Sequence, residues 1–253
     1  MKDIQNLPDE RNVYLNEVGI REFRYPVSIK SKDGSWFSTP AVMSLRVDLP
    51  GTQKGTHMSR FVEVLQDHAK LDLHNVRAIV EAIRERLNAE NSYFTMEFDY
   101  FIEKQSPVTG HSSLLDVHVG VDAKIVDGDF SFCTSVNTPV MTLCPCSKEI
   151  SDYSAHNQRA SIIITLETNQ FIWIEDIAKI AEEASSSPVY SLLKRPDEKY
   201  VTEYAYDHPK FVEDVCRDVK LRLDALPNVR HFAVEVMSHE SIHNHQAYAK
   251  VVV

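Results

Sequence analysis

Glycine is scarce. The 253-residue chain holds 7: Gly19, Gly34, Gly51, Gly55, Gly110, Gly120 and Gly128. No spacing among them gives a G-x-G-x-x-G dinucleotide turn or a G-x-x-x-x-G-K-[ST] phosphate loop, both of which need bare backbone close to phosphate. Any nucleotide bound here must be held largely by side chains. Long apolar runs are also missing, with nothing near the ~18 residues that span a bilayer, so no membrane partner is expected. Lys and Arg are outnumbered, 27 against 37 Asp and Glu, for a formal net charge of −10. That excludes a general nucleic-acid surface, because phosphate binding draws on cationic excess, and it leaves room for a small basic pocket. There are 4 cysteines, and the opening MKDIQNLPDERNVYL is too charged for a secretory leader. A reducing cytoplasm is the expected setting, with thiols kept for metal or catalysis.

What is present describes a folded body. Hydrophobic residues make up 43%, and the 11 Phe, 10 Tyr and 2 Trp are spread along the chain, which excludes disorder. The length allows one large domain or two small ones. Residues 19–30 read as a strand, Asp33-Gly34 as a turn and residues 36–49 as a second strand. Two helices follow, the second with Val76, Ile79, Val80, Ile83 and Leu87 on one face. Two further strands lead to a second Asp-Gly turn at Asp127-Gly128, where the cycle starts again. Strands over 129–143 and 158–168 flank a loop rich in Cys and His, and a helix opens at Ile174. The next helix is expected to begin at Pro209 with Asp207 as cap, burying Phe211, Val215, Val219 and Leu223. Two strands close the chain. The order ββααββ twice predicts an α+β fold of tandem modules, about 18–127 and about 128–253, with antiparallel sheets carrying helix pairs on one face. Only Ser185-Ser186-Ser187-Pro188 reads as linker-like.

Reactive groups concentrate in LCPCSKEISDYSAHNQR, residues 143–159. Cys144 and Cys146 form C-x-C with His156 twelve positions after Cys144, a thiolate and imidazole set suited to a borderline-soft divalent ion. No C-x-x-C exists to close a four-cysteine structural zinc site, so a site with an open position is expected. The bland alternative is two thiols in a proline turn beside a surface histidine. A second cluster, GTHMSRF with Lys54, Thr56, His57, Ser59 and Arg60, marks a helix start that can take an anion or simply be a cap. A third, residues 194–214, offers Lys194, Arg195 and Lys199 to phosphates and Glu198 to a metal, or is a solvated loop. The fourth, HESIHNHQ, places His239, Glu240, His243 and His245 between the last two strands as proton carriers, or as a polar turn.

The blocks LPGTQKGTHMSRF, SLLDV, LCPCSKEIS, AHNQR, LLKRPDEKYVTE, FVED and ESIHNH occur in that order. From about Val18 onward the chain therefore resembles the type IB GTP cyclohydrolases I, prokaryotic enzymes that open pterin synthesis. The resemblance implies a tunnelling fold assembled into an oligomeric barrel, a homotetramer with active sites between subunits. It implies one divalent ion per site, Mn, Fe or Zn, on Cys144, His156 and Glu198, with Cys146 a second functional thiol. Glu213 would anchor the guanine, and Glu240 with His243 would form the acid/base pair. Water activated by the metal would attack C8 of GTP, releasing formate and leaving 7,8-dihydroneopterin 3′-triphosphate for folate or modified tRNA bases. Lys54, His57, Arg60, Lys148, Arg159, Lys194, Arg195 and Lys199 are the candidates for the triphosphate. Two rivals follow from the same residues: another tunnelling-fold enzyme, such as a pterin synthase or a deazapurine nitrile reductase, and a metal-binding scaffold without activity.

Overall fold

The computed structural model of the chain describes residues 3–68, 70–168 and 171–253. It is a mixed α+β fold of mostly antiparallel strands with, among the described residues, six α-helices. None of these helices is long and apolar enough to cross a membrane. The chain forms two compact units interleaved in sequence: Met1–Asp99 with Gly120–Thr134, and Tyr100–Val119 with Ser135–Val253.

In the first unit, β1 (Leu15–Lys30) and β2 (Trp36–Leu49) pair as an antiparallel hairpin. Gly34 turns it at φ 86°, and the Asp33 carboxylate accepts the Ser35 N–H. Gly19 lies against the partner strand so closely that a Cβ would meet the Leu45 carbonyl at 2.0 Å, so only glycine fits there. Helix α1 (Met58–Asp67) leads to the short β3 (Lys70–Leu71), parallel to β1. A single 3-10 turn at Leu73–Asn75 then opens α2 (Val76–Leu87). All five residues of its apolar stripe are buried, and Asn88 ends it in the left-handed conformation at φ 53°. Each buried aliphatic is worth roughly 1.5–3 kcal/mol, enough to fix this face of the helix against its neighbours.

Three long strands, β4 (Ser92–Gln105), β5 (Ser112–Val126) and β6 (Asp129–Leu143), each contribute residues to both units. Asp127 and Gly128 take φ 53° and 88° between β5 and β6, the paired positive values of a two-residue hairpin turn. Leu115, Val117, Val119 and Val121 are buried along β5, as their alternation predicts.

The second unit continues with α3 (Pro145–Ile150), β7 (Asn157–Thr168), α4 (Ile174–Ala184), β8 (Ser187–Pro188), α5 (Arg195–Asp207), α6 (Val212–Asp224), β9 (Val229–His239) and β10 (Gln246–Val252). Strand β9 pairs antiparallel with both β7 and β10, and α6 packs on β9 and β10.

Several expectations need correction. The linker-like serines are buried: Ser187 and Pro188 pair with β6, and Ser186 Oγ accepts the Leu143 N–H. Helix α6 starts three residues after Pro209, with Asp214 accepting the N–H of its cap Phe211. Phe211 is therefore 41% exposed and leaves the buried stripe to Val212, Val215, Cys216, Val219 and Leu223. The charged stretch read as a loop is helix α5, and the Cys-rich loop contains α3.

Helix α5 buries only Asp197 and Ala205, and Asp197 is what fastens it. The carboxylate accepts the N–H groups of Val108 (2.9 Å), Thr109 (2.8 Å) and Lys194 (2.9 Å) and the Thr109 hydroxyl (2.6 Å). Burial raises the Asp197 pKa, but these hydrogen bonds, Thr109 foremost, outweigh it and hold the carboxyl well below the usual carboxylate range. A carboxyl lowered on folding contributes stability above its unfolded value of ~3.9 and loses it as pH falls toward the folded value. Asp197→Asn is expected to melt roughly 5 °C or more below wild type at pH 7. The gap should shrink as the pH is taken below about 4; thermal melts showing a constant gap from neutral to acid pH would contradict this account.

Candidate active site

Strand alternation and register build the site. Along β7 the buried side chains begin with Gln158 and continue with Ala160, Ile162 and Ile164. His156, two residues before Gln158, precedes the same face at the strand's entrance. Ala160 pairs with Ser238 of β9, and two residues further along the same antiparallel register Gln158 meets Glu240, just past the strand's end, through a 3.4 Å hydrogen bond. Thr142 lies near the end of β6. Three chain segments thus deliver polar groups to one end of the second unit.

Local chemistry folds the Cys-bearing segment back onto this end. Cys144 caps α3, with Pro145 at the first helical position. Its Sγ accepts the Ser147 N–H at 3.5 Å, its N–H donates to the His156 carbonyl at 3.1 Å, and Ser147 Oγ accepts the His156 N–H at 3.2 Å. These bonds hold the thiol and imidazole residues side by side, although twelve positions separate them.

A cavity of about 380 Å³ opens here, lined by Cys144, Cys146, His156, Glu213, Glu240 and His243 among others. Cys144 and His156 are half-buried, and Cys146 is exposed. Glu213 comes from the first turn of α6, where the helix dipole favours a negative charge. Among the described residues its carboxylate has no hydrogen-bond or ion-pair partner. The His243 ring stands edge-on to His156 at 6.5 Å and stacks on His245 at 5.1 Å between centroids. Glu240 Oε1 accepts from Ser238 Oγ (2.8 Å) and Gln158 Nε2 (3.4 Å).

The remaining candidates lie elsewhere. Glu198 is exposed on the first turn of α5 and does not line the cavity. Lys54, His57 and Arg60 belong to the first unit; His57 caps α1 without a side-chain cap bond, its Nε2 lying 3.2 Å from Asp3 Oδ2. Lys148 Nζ donates to the Tyr206 carbonyl at 2.5 Å and sits over the Tyr206 ring. Arg159, Lys194, Arg195 and Lys199 are exposed, Lys199 facing Glu203 at 3.7 Å. Among the described residues, no group of three or more His, Cys, Asp or Glu is clustered closely enough to hold a metal ion.

The donors at the cavity nonetheless suit a divalent ion. A thiol and an imidazole are ligands for zinc-like metals. His156 Nδ1 is engaged by Gln158 Oε1 at 2.8 Å, which leaves Nε2 as the nitrogen available for ligation. Sequence reasoning missed Gln158, Thr142 and Ser238, which carry no reactive chemistry of their own, and Phe211, misassigned to the core. It also passed over Lys210, whose ammonium is committed to Asp218 (2.7 Å) and the Ala184 carbonyl (2.8 Å). The pairing of His239 with Gln246, flanking the last motif, is closed by a 3.1 Å bond from Gln246 Nε2 to His239 Nδ1.

Comparisons with known proteins bear on the fold and the family of the chain. Uricase from Arthrobacter globiformis superposes with a TM-score of 0.54 at 7% identity, over 94% of this chain and 93% of that one, a likeness of fold alone. The GTP cyclohydrolase FolE2 of Fervidobacterium nodosum is 47% identical over 250 residues, covering 98% of this chain and 96% of the relative. That of Thermosipho africanus is 48% identical over 252 residues, covering 99% and 97%. A family model described as type I GTP cyclohydrolase folE2 matches residues 1–249, including the stretch before Val18 that carries none of the quoted motifs. The chain belongs to the type I GTP cyclohydrolase FolE2 family.

Proposed function

We propose that this cavity is where the chain carries out the GTP cyclohydrolase I reaction. The observation that carries the reading is the meeting in one cavity of a thiol, an imidazole whose Nδ1 is engaged by Gln158, a carboxylate with no partner among the described residues, and Glu240 with His243. Glu213 accepts two parallel N–H bonds from the guanine edge, a charge-assisted contact that fixes the purine's orientation. Phe211 and Tyr248 give the same cavity an aromatic wall for the ring.

Cys144, His156 and Glu198 are the proposed metal ligands, with Cys146 as a second functional thiol. A divalent ion (Mn, Fe or Zn) bound there supplies Lewis acidity toward water and the purine. His243 donates a proton to N7 as C8 becomes tetrahedral, and Glu240, oriented by Ser238 and Gln158, holds the proton that exchanges with it. The water added at C8 and cleavage of the C8–N9 bond open the imidazole ring, and a second water then hydrolyses the resulting N-formyl group, releasing C8 as formate. Rearrangement of the sugar and ring closure leave 7,8-dihydroneopterin 3′-triphosphate, the entry to pterin and folate synthesis.

Glu198 and the eight cationic candidates for the triphosphate lie outside the single chain's cavity. The reading therefore requires assembly to bring them to it: a tunnelling-fold homotetramer with sites between subunits, each chain built of modules at about 18–127 and 128–253. Leaving aside α3, α5 and the two-residue strands, the order ββααββ does occur twice, which supports the tandem design. The type IB assignment belongs to the same proposal and rests on the sequence motifs. So does the setting, a cytoplasmic enzyme whose partner is GTP, with no nucleic acid or membrane, in keeping with the net charge of −10.

The test is incubation of the purified protein with GTP and Mn²⁺, Fe²⁺ or Zn²⁺ in turn, following formate and pterin fluorescence after oxidation. Formate is expected in equal amount to the GTP consumed. GTP left intact with every ion would overturn the proposal.

A further inference from the structure

Gln158 is 9% exposed, yet every polar atom of its side chain is used. Its Oε1 meets His156 Nδ1 at 2.8 Å, while its Nε2 donates to Thr142 Oγ1 at 3.1 Å and to Glu240 Oε1 at 3.4 Å. The amide's orientation follows from chemistry. A carboxylate only accepts, so the side facing Glu240 must be the NH₂, and the oxygen is left for the histidine. An oxygen can only accept there, so His156, which lines the cavity, must carry its proton on Nδ1, and in the neutral ring Nε2 is the bare nitrogen.

The remaining bonds run in one direction. Ser238 Oγ donates to Glu240 Oε1 at 2.8 Å, and that hydroxyl lies 3.3 Å from Thr142 Oγ1. With Ser238 giving its proton to Glu240, Thr142 donates to Ser238 and accepts from Gln158. Each hydroxyl then has one donor role and one acceptor role, and no member can reverse alone. The circuit lies among buried or half-buried groups, where an unpaired partner is costly.

We infer that Gln158 is a positioning residue that couples the two halves of the site: one end of its amide selects the His156 tautomer able to bind a metal, and the other aims Glu240. The inference extends the proposed function, since it takes His156 as a ligand and Glu240 as a proton carrier. It assigns Gln158 no contact with substrate.

Two variants separate the ends. Gln158→Leu removes both. Gln158→Glu keeps an acceptor for His156 Nδ1–H but has no N–H for Glu240 and sets a second carboxylate beside it. In ¹⁵N-labelled, metal-free full-length wild type at a pH where the ring is neutral, the His156 signals, assigned by their loss in His156→Gln, should show a protonated Nδ1 and a bare Nε2. In Gln158→Leu that preference should be lost, and affinity in a Zn²⁺ or Mn²⁺ titration should fall about 10- to 100-fold. Gln158→Glu should regain most of the metal affinity while turnover of GTP stays low.

A His156 protonated on Nε2 in wild type would overturn the inference, and that measurement decides it even if Gln158→Leu fails to fold. Wild-type metal affinity in a folded Gln158→Leu would overturn it, as would full turnover in Gln158→Glu. A wild type with Nδ1 protonated that binds no divalent ion would instead uphold the tautomer assignment and remove the ligand reading on which the proposed function stands.

Discussion

Cys144→Ala is expected to lower kcat/KM for GTP at least about 10³-fold while the protein stays folded and assembled. The size follows from the several kcal/mol of transition-state stabilisation that a bound Lewis acid contributes, at about 1.4 kcal/mol per factor of ten. The preserved fold follows from the thiol's modest structural part: Cys144 is half-buried, and among the described residues its Sγ takes one hydrogen bond, a 3.5 Å contact from the Ser147 N–H. Cys144→Ser sharpens the test, because serine is among the better helix caps and a poor replacement for a soft ligand. It should melt at or above wild type and still release almost no formate. A metal-binding scaffold without activity predicts the opposite, a variant that unfolds with no turnover to lose. Formate release, pterin fluorescence and a thermal melt on the three proteins distinguish the two.

Glu213→Gln should cost about 10²-fold in kcat/KM for GTP. A hydrogen bond to a charged group is worth roughly 1.5–3 kcal/mol, and glutamine turns an NH₂ toward a purine edge that itself only donates. The penalty is specific to the guanine edge. Inosine triphosphate lacks the 2-amino group, so its kcat/KM should fall less, and the preference for GTP over it should contract by about tenfold. The carboxylate also sits in the first turn of α6, where losing a negative charge costs about 0.3–1 kcal/mol of helix stability. That change is too small to explain a hundredfold loss of activity. Equal losses for the two nucleotides would move the guanine contact elsewhere.

Legibility in the sequence followed how local the determining physics is. The Asp127-Gly128 turn, the five-residue stripe of α2 and the alternation of β5 need only neighbouring residues, and all were readable. Helix α5 hid because its stability comes from Asp197 gripping Val108 and Thr109 from far along the chain, leaving no apolar stripe to see. Its start signals were present in Pro196, Asp197 and Glu198, but the charge of the segment masked them. Ser185-Ser186-Ser187 has the composition of a linker and the location of a core, because β8 pairs with β6.

At the site, the sequence named Cys144, Cys146, His156, Glu213, Glu240 and His243, and one cavity gathers all six. What it did not convey was the register of β7 on β9 that brings Gln158 to Glu240, or the amide that joins them. An amide has no reactivity to attract attention, and its importance lies wholly in its partners. Glu198 and the cations of the two basic clusters were legible as chemistry, but none of them lines the cavity of the single chain.

Metal content tests the central claim most directly. Freshly purified wild type should carry about one tightly held divalent ion per chain and lose both the ion and formate release on chelation, each restored by readdition. Cys144→Ala and His156→Ala should carry little. A wild type that releases formate from GTP at full rate with no metal bound, or variants that retain the ion undiminished, would contradict the account.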